Sequence, residues 1–406
     1  MKICFVTGSV FSLGGIQRVL TVIANELSKN YEIDILCTNK NIKINRELYN
    51  LDKNINININ LYENLEKYNF IYKLINKIIK TINKYTNIFN NKFFEIILLN
   101  SIYPKYVRKK FINYFNTNNY DLVIGVADYY SLLVASIADE LDCKTIGWQH
   151  NSYEAYFNNK YRYLWNLDKI FEKYIKKLDK YIVLTEYDRK KFIEEKNIYS
   201  VVIPNPKSFK SRQKSTLNNK QFLAAGRLNY QKGFDLLIES FQLFSKINNK
   251  WNLVIVGEGE EKENLNNLIN KYGLSERVKI HEFTDDIQKY FLNSSVLLLS
   301  SRWEGMPMIV LESLEMGVPV ISYDISAVTQ IVTNEREALI TKKFNINEFA
   351  NNMIRVAENS DIIKEMGKNS LIRSKDYDIE VIINKWNDIF FDIFKGEDYE
   401  IKKREL

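Results

Sequence analysis

The sequence predicts an α/β protein made of two doubly wound, parallel-sheet domains. Three observations carry that expectation. Apolar runs of strand length alternate with amphipathic helical stretches over most of the chain. Several of these runs lead through a glycine-bearing loop directly into a helix, at Gly14-Gly15, Gly226–Gly233 and Gly257–Gly259. The third is length: 406 residues exceed one ordinary core, and Pro204-Asn205-Pro206 with the polar run Lys207–Lys220 punctuates the chain near its middle.

Taken in order, Lys2–Thr7 reads as a buried strand, the stretch after Gly14-Gly15 as a helix with one apolar face, and Glu32–Cys37 as a second strand. The spacing of Gly8, Gly14 and Gly15 does not fit the dinucleotide fingerprint, so a nicotinamide cofactor is not expected. Paired glycines before a helix let backbone amides approach a phosphate, although a tight turn accounts for them equally well. Residues 41–120 depart from the pattern: they are rich in Asn, Ile, Lys and Tyr and show more helical periodicity than one crossover needs. Alternation resumes with strand Asp121–Val126, a helix over Tyr129–Glu140 and strand Lys144–Gln149. That strand ends in Trp148-Gln149-His150-Asn151, where polar residues face the ligand crevice of an open α/β sheet. A helix around 160–178, strand Tyr181–Leu184 and a helix opened by Thr185 with Asp188 at the capping-box position complete this half.

The second series runs strand Gln221–Ala225, helix Gly233–Ile247, strand Asn252–Val256, helix Glu261–Tyr272 and strand Val278–His281. A short helix after Asp285, strand Val296–Leu299, strand Val318–Ser322 and helices beyond Asn345 follow. Three loops carry chemistry. Gly226-Arg227 with Lys232-Gly233 sets two cations at a helix start, against the helix dipole, which suits a diphosphate. Gly257-Glu258-Gly259 offers bare backbone to a flat base, or is simply a tight turn. Glu304-Gly305-Met306-Pro307 leads into a helix carrying Glu312, and two carboxylates so spaced suit the hydroxyls of a polyol. The competing account makes Glu304 a residue that complements the helix dipole and Glu312 a solvated flank.

Composition excludes other classes. Hydrophobic content of 46% with 26% charged residues is that of a globular chain, and no run reaches the roughly 18 apolar residues of a membrane span. Met1 opens directly into a strand with no leader pattern, so a cytoplasmic protein is expected. Cys4, Cys37 and Cys143 stand singly in apolar runs and read as reduced thiols; two histidines, His150 and His281, exclude a His-rich metal site. Asp376-Tyr-Asp378 has the form of a metal-holding pair, but it directly precedes a helix, where Asp is a common cap.

The ordered set Gly226-Arg227, Lys232-Gly233, Val256–Gly259, Phe283-Thr284-Asp285, Glu304 and Glu312, and Gly317-Val-Pro-Val resembles retaining glycosyltransferase family 4, of the GT-B fold. Met1–Asn30 and Trp148–Asn151 resemble that family's other domain, and only about 41–120 lies outside the resemblance. It implies an N-terminal acceptor domain over 1–205, a donor domain over 206–375 facing it across a cleft, and a last helix within 376–406 that crosses back. It further implies that Arg227 and Lys232 bind a donor diphosphate, aided by the amides of Gly14 and Gly15. Glu312 then holds ribose hydroxyls and Glu304, with Gly305 and Met306, holds the transferred sugar. His150 sits by the anomeric centre, and Gly257, Glu258, Gly259, Thr284 and Asp285 border the base. The implied reaction is hexose transfer with retention from a UDP-sugar to a glycan or lipid-linked acceptor, without a metal or other cofactor and without nucleic acid. An epimerase on the same fold needs a set of ring-chemistry acids and bases that is not evident. A non-catalytic partner subunit is the other alternative.

Charge is unevenly placed. Glu66–Phe115 holds ten Lys or Arg against Glu66 and Glu95, in a chain of net charge +7. Ile71, Leu74, Ile75, Ile78 and Ile82 share one helical face, and Lys73, Lys77, Lys80 and Lys84 the opposite one; Lys105, Arg108, Lys109 and Lys110 form a second cluster. Docking on the anionic cytoplasmic face of a membrane is expected from this pattern, against an ordinary crossover helix packed on its sheet.

Overall fold

The computed structural model describes residues 1–39, 42–59, 70–158 and 164–404. Contacts divide the chain into two units, Met1–Pro204 with Ile379–Leu406, and Asn205–Asp378. Each is an open parallel sheet wound by helices.

In the first unit the described elements begin with β1 (Lys2–Thr7), α1 (Gly15–Leu27), β2 (Glu32–Cys37) and β3 (Asn56–Asn58). There follow α2 (Phe70–Thr86), α3 (Glu95–Ile102), α4 (Lys105–Thr117), β4 (Leu122–Val126), α5 (Ala127–Ala135) and β5 (Lys144–Trp148). The series closes with α6 (Tyr153–Phe157), α7 (Asp168–Ile175), β6 (Lys180–Val183), α8 (Glu186–Lys196) and β7 (Val201–Val202). The strands lie in the order β3-β2-β1-β4-β5-β6-β7, every pairing parallel. β1 and β4 are sandwiched between helix layers, so Ile3–Val6 and Leu122–Ile124 are wholly buried and read as unbroken apolar runs. The sheet reverses direction of growth between β1 and β4, and the carboxyl ends of those strands carry the Gly8–Gly14 loop and the Ala127-Asp128 turn.

The second unit contains β8 (Gln221–Ala225), α9 (Phe234–Ser245), β9 (Asn252–Val256), α10 (Lys262–Lys271), β10 (Val278–His281), α11 (Gln288–Leu292) and β11 (Val296–Leu299). It continues with α12 (Met308–Glu315), β12 (Val320–Tyr323), α13 (Ser326–Thr329), β13 (Ala338–Thr341), α14 (Ile346–Glu358) and α15 (Ser360–Arg373). The order β10-β9-β8-β11-β12-β13 places its reversal between β8 and β11. A last helix, α16 (Ile379–Arg404), belongs to the first unit. Its Trp386 ring meets Trp148 edge-on at 5.0 Å, and Asn387 accepts a hydrogen bond from the Tyr31 hydroxyl at 3.0 Å.

Several local expectations need correction. The helix expected over 129–140 is α5, which starts two residues earlier and ends at Ala135, because a one-turn 3-10 segment (Ala138–Glu140) takes over. The stretch 160–178 holds α7, with Asn83 and Asn166 side chains bracing its approach; residues 160–163 lie outside the described set. Thr185 caps α8 as expected, accepting from the Asp188 amide at 3.1 Å. The Asp188 carboxylate does not complete the box on its own helix. It accepts from the Tyr153 amide at 2.8 Å, which makes it the anchor of α6, and from the Thr185 hydroxyl at 2.8 Å.

Residues 41–120 also resolve into more than an appendage. β3 extends the sheet at its edge, while α3 and α4 send Leu98, Leu99, Val107, Phe111 and Phe115 into the main core. α2 behaves otherwise. Leu74, Ile75, Ile78 and Ile82 are exposed, so the helix is not a crossover packed by its apolar face. Of the charged segment, Glu66 and Lys67 lie outside the described residues.

Candidate functional site

The reversal of strand order in the second unit fixes where chemistry can gather. Strands β8 and β11 are neighbours, but their following connections leave to opposite sides, so the two loops beyond their carboxyl ends border an open crevice. Those loops are Gly226–Gly233 and Ser300–Pro307, which hold the cations and the acid singled out from sequence.

They are tied together tightly. Lys232 Nζ lies 2.6 Å from Glu304 Oε1, with the side chains 18% and 7% exposed. The Ser301 hydroxyl donates to the same carboxylate oxygen at 2.6 Å. Behind this pair, the Arg302 amide donates to the Gln231 carbonyl at 2.7 Å and the Ser300 hydroxyl to the Lys232 carbonyl at 3.0 Å. The Arg302 guanidinium forks onto both oxygens of Asp235, at 2.9 and 2.6 Å, and lies over the Tyr230 ring at 3.9 Å. Such a fork fixes orientation as well as distance. Lys232 itself closes a 3-10 turn capped by the Asn229 side chain, and Gly233 takes a left-handed φ of 63° to start α9. A Cβ on Gly233 would fall 2.2 Å from the Ser300 carbonyl oxygen, so only glycine lets the two loops touch.

The remaining expected residues fall at the carboxyl end of the same sheet or on the helix beyond it. Arg227 is exposed, one residue beyond Gly226. Gly257 and Gly259 serve a close approach of backbone to backbone: a Cβ there would sit 1.9 Å from the Gly226 carbonyl oxygen and 2.2 Å from that of Leu228. The Leu228 amide donates to the Glu258 carbonyl at 2.7 Å, which zips the two loops past the strand ends. The tight contact that the glycines permit is therefore with the Arg227 loop itself. Thr284 accepts from the Asp286 amide at 3.1 Å in a small turn after β10, and Asp285 is exposed. Gly305 and Met306 are buried, and the Asn205 amide points at the Met306 sulfur at 3.1 Å. Pro307 is the N-cap of α12, one position before the first turn. Glu312 lies on α12 and is buried, so it is not a solvated flank; the Ser208 hydroxyl donates to its Oε1 at 2.5 Å.

Sequence reasoning missed the support beneath this helix. Glu315 is buried one turn beyond Glu312 and is shared by Lys207 and Lys214, while Lys207 also pairs with Asp378 at 2.5 Å. Burial pushes the Glu315 carboxyl up, and the two ammonium groups more than offset this and hold it below the usual range. The signal was present as Lys207 immediately after the Pro-Asn-Pro punctuation, but nothing local paired it with residue 315. Asp378, which directly precedes α16, is a counter-ion to Lys207, and Asp376 is held by Arg373 at 2.7 Å. Among the described residues no group of three or more His, Cys, Asp or Glu is arranged to hold a metal.

In the first unit, His150 follows β5 and is buried against Trp148, ring centroids 4.3 Å apart. Its amide donates to the Tyr156 hydroxyl at 3.3 Å, and Nε2 has no hydrogen-bond partner among the described residues. Desolvation pushes its pKa down to about 3, so the imidazole is neutral at ordinary pH and offers a lone pair or an N–H but no charge. Gly14 is the N-cap of α1, its amide donating to the Tyr49 hydroxyl at 3.0 Å, and as a glycine it brings no capping side chain. Gly15 follows as its exposed first residue. Lys73, Lys77, Lys80 and Lys84 line α2 and are exposed, as are Lys105 and Lys109 on α4. Arg108 is not available in the same way: it donates to Asn100 at 2.9 Å and to the Tyr103 carbonyl at 3.3 Å, tying α4 to the end of α3, and Lys110 is half-buried.

Residues 207–372 match the family described as glycosyl transferases group 1. An uncharacterized glycosyltransferase of Haemophilus influenzae is 32% identical over 273 residues, spanning 66% of this chain and 76% of the relative. The amylovoran biosynthesis glycosyltransferase AmsD of Erwinia amylovora is 31% identical over 219 residues, 52% of this chain and 62% of its own length. Among solved structures, Staphylococcus aureus TarM in complex with UDP and alpha-GlcNAc-glycerol superposes with a TM-score of 0.72 at 17% identity, covering 96% of this chain and 99% of that one. Anabaena HepE in complex with UDP gives 0.72 at 16% identity, with 96% and 99% covered. These likenesses identify the fold as GT-B, and the extent of the Haemophilus match shows that the chain belongs to the group 1 glycosyl transferases.

Proposed function

We propose that the chain is a retaining, family 4 hexosyltransferase that moves a sugar from a UDP-sugar to a glycan or lipid-linked acceptor in surface polysaccharide or glycolipid synthesis. The observation that carries this reading is the Lys232–Glu304–Ser301 cluster at the β8/β11 reversal. An ammonium, a buried carboxylate and a hydroxyl within one crevice can meet a diphosphate and sugar hydroxyls together. Arg227 and Lys232 stabilise the leaving diphosphate as charge develops on it, which is the work a metal does elsewhere, so no metal is needed. Glu304 holds hydroxyls of the transferred sugar, and Glu312 those of the ribose. His150, kept neutral by burial, meets the sugar as a hydrogen-bonding group, and the amides at Gly14 and Gly15 assist with the phosphates. With no enzymic nucleophile evident, the acceptor attacks from the face the diphosphate leaves.

TarM and HepE are solved in complexes with UDP, HepE also with UDP-glucose, and AmsD is named for amylovoran biosynthesis; these names favour the same donor and the same kind of acceptor. The test is incubation with single nucleotide sugars, with release of nucleotide and sugar followed by chromatography and NMR. A transferase leaks one donor slowly to water and frees the sugar first as the retained anomer. Return of an isomeric nucleotide sugar, or no turnover of any donor that raises the melting temperature, would sink the proposal.

A further inference from the structure

We propose that α2 and the loop after it form a cationic, apolar surface that docks the protein on an anionic lipid bilayer. The helix is fastened to its unit by the wrong face for an ordinary core helix. Asn83 is buried, donates to the Asn166 carbonyl at 2.7 Å and accepts from the Phe89 amide at 3.0 Å. Asn166 in turn donates to the carbonyls of Asn83 and Lys84, at 3.0 and 3.2 Å. Asn90 extends the clamp, donating to Asp168 at 2.6 Å and accepting from the Lys169 amide at 3.0 Å. Among the described apolar side chains of α2, Ile79 is the one packed against the core.

This clamp leaves the apolar stripe outward. Leu74, Ile75, Ile78 and Ile82 are 39–48% exposed, at i, i+1, i+4 and i+8, and so lie on one side of the helix. Ile88, Phe93, Ile96 and Ile97, in the loop and first turns that follow, are exposed as well, Phe93 to 92%. Soluble surfaces seldom carry so many large apolar groups within so short a stretch unless something binds them. The charges beside them have one sign. Between residues 70 and 94 stand Lys73, Lys77, Lys80, Lys84 and Lys92 and no Asp or Glu, and Glu95 is turned inward to Lys173.

That charge pattern selects the occupant. A second copy meeting this patch across a two-fold axis would bring two sets of like charges face to face. An anionic bilayer complements both features: headgroup phosphates meet the lysines, and the boundary of the acyl region takes the isoleucines and Phe93. The basic residues of α4 are not part of this surface, since Arg108 is committed to α3 and no large apolar residue of α4 is among the exposed ones. The inference stands independently of the proposed reaction, though a surface of this kind would hold the enzyme beside a lipid-linked acceptor.

Flotation of the full chain with phosphatidylglycerol–phosphatidylcholine vesicles, against phosphatidylcholine alone, tests it. Wild type should float with the anionic vesicles at low salt and not with the neutral ones. Reversing Lys73, Lys77, Lys80 and Lys84 to Glu should lower partitioning by roughly 600-fold or more, from about fivefold per basic residue. Leu74→Asn with Ile78→Asn, both at exposed sites and so lowering the melting temperature only slightly, should leave binding that high salt abolishes. Lys105→Glu with Lys109→Glu should leave partitioning within a few-fold of wild type. Wild type remaining at the bottom with anionic vesicles would overturn the proposal. So would unchanged flotation of the α2 variants, or a wild-type dimer that Leu74→Asn/Ile78→Asn converts to monomer, which would assign the patch to self-association.

Discussion

Replacing Glu304 by Gln separates what the Lys232–Glu304 pair does for the fold from what it does for the reaction. The amide keeps the shape of the carboxylate and can still accept from the Ser301 hydroxyl, now 2.6 Å away, but removes the counter-ion of Lys232. Removing one partner of a buried pair costs about 3–5 kcal/mol. Lys232 is 18% exposed and can turn its ammonium towards water, so the cost of Glu304→Gln should be nearer about 1–2 kcal/mol. The reverse cut is worse. Lys232→Met leaves a carboxylate only 7% exposed with Ser301 as its remaining partner, and should cost about 3 kcal/mol; the double variant should recover part of this. Thermal or urea unfolding gives that order directly. For the reaction, Glu304→Gln should lower kcat for donor hydrolysis by roughly 100-fold, since a group aimed at transition-state charge or hydroxyls is worth about 3 kcal/mol. Glu312→Gln should raise KM for the donor with a smaller effect on kcat. A folded Glu304→Gln enzyme that keeps kcat within about threefold would refute the reasoning and leave Glu304 a counter-ion only. A Lys232→Met protein more stable than Glu304→Gln would refute the electrostatic account of the pair.

Three further outcomes are expected. Gly257→Ala places a methyl 1.9 Å from the Gly226 carbonyl oxygen, so it should destabilise by at least about 2 kcal/mol and weaken donor binding by displacing Arg227, read from melting temperature and donor titration. His150, with its pKa pushed down to about 3, stays neutral in the folded chain while the unfolded chain gains a proton below about 6.5. Its contribution is therefore full above pH 6.5 and lost as pH falls towards 3: between pH 6.5 and 5 wild type should lose about 2 kcal/mol more than His150→Gln in urea unfolding. Chelation by EDTA should leave donor hydrolysis unchanged; loss of activity that magnesium restores would assign a metal to the diphosphate.

The second unit was legible because its information is local. Apart from Glu312 on α12, each candidate group there sits in a loop at the end of a parallel strand, and the strand, the loop glycine and the next helix are contiguous in sequence. Gly226, Arg227, Lys232 and Gly233 could be read as one unit for that reason, as could Glu304 and Pro307. What the sequence could not supply was the pairing of these loops. Lys232 meets Glu304 across 72 residues because β8 and β11 are adjacent in a six-stranded sheet, and strand order is not written in either segment. The glycines at 257 and 259 illustrate the same gap. Their presence announced a close approach, but the approaching group proved to be the Gly226–Leu228 backbone.

Residues 41–120 were opaque for a different physical reason. Periodicity reports which face of a helix is apolar, and the usual inference is that this face turns to the core. In α3 and α4 it holds: Leu98, Val107, Phe111 and Phe115 are buried. In α2 the periodicity is equally regular but the stripe Leu74–Ile82 points outward, because Asn83 and Asn166 make the clamp while only Ile79 of the described apolar side chains packs inward. An Asn side chain with two donors and an acceptor can satisfy backbone groups at a helix end, and Asn83 with Asn166 does so reciprocally from segments 83 residues apart. In a chain so rich in Asn, no local pattern distinguishes those two from the others, Asn76 on the same helix among them. The feature that does carry over from sequence is the sign of the charge: with five lysines and no carboxylate between residues 70 and 94, α2 attracts anions whichever way its apolar stripe points. Orientation then decides whether that attraction ends in a loose encounter or in insertion, and the outward stripe at Leu74–Ile82 supplies the apolar area that makes insertion possible.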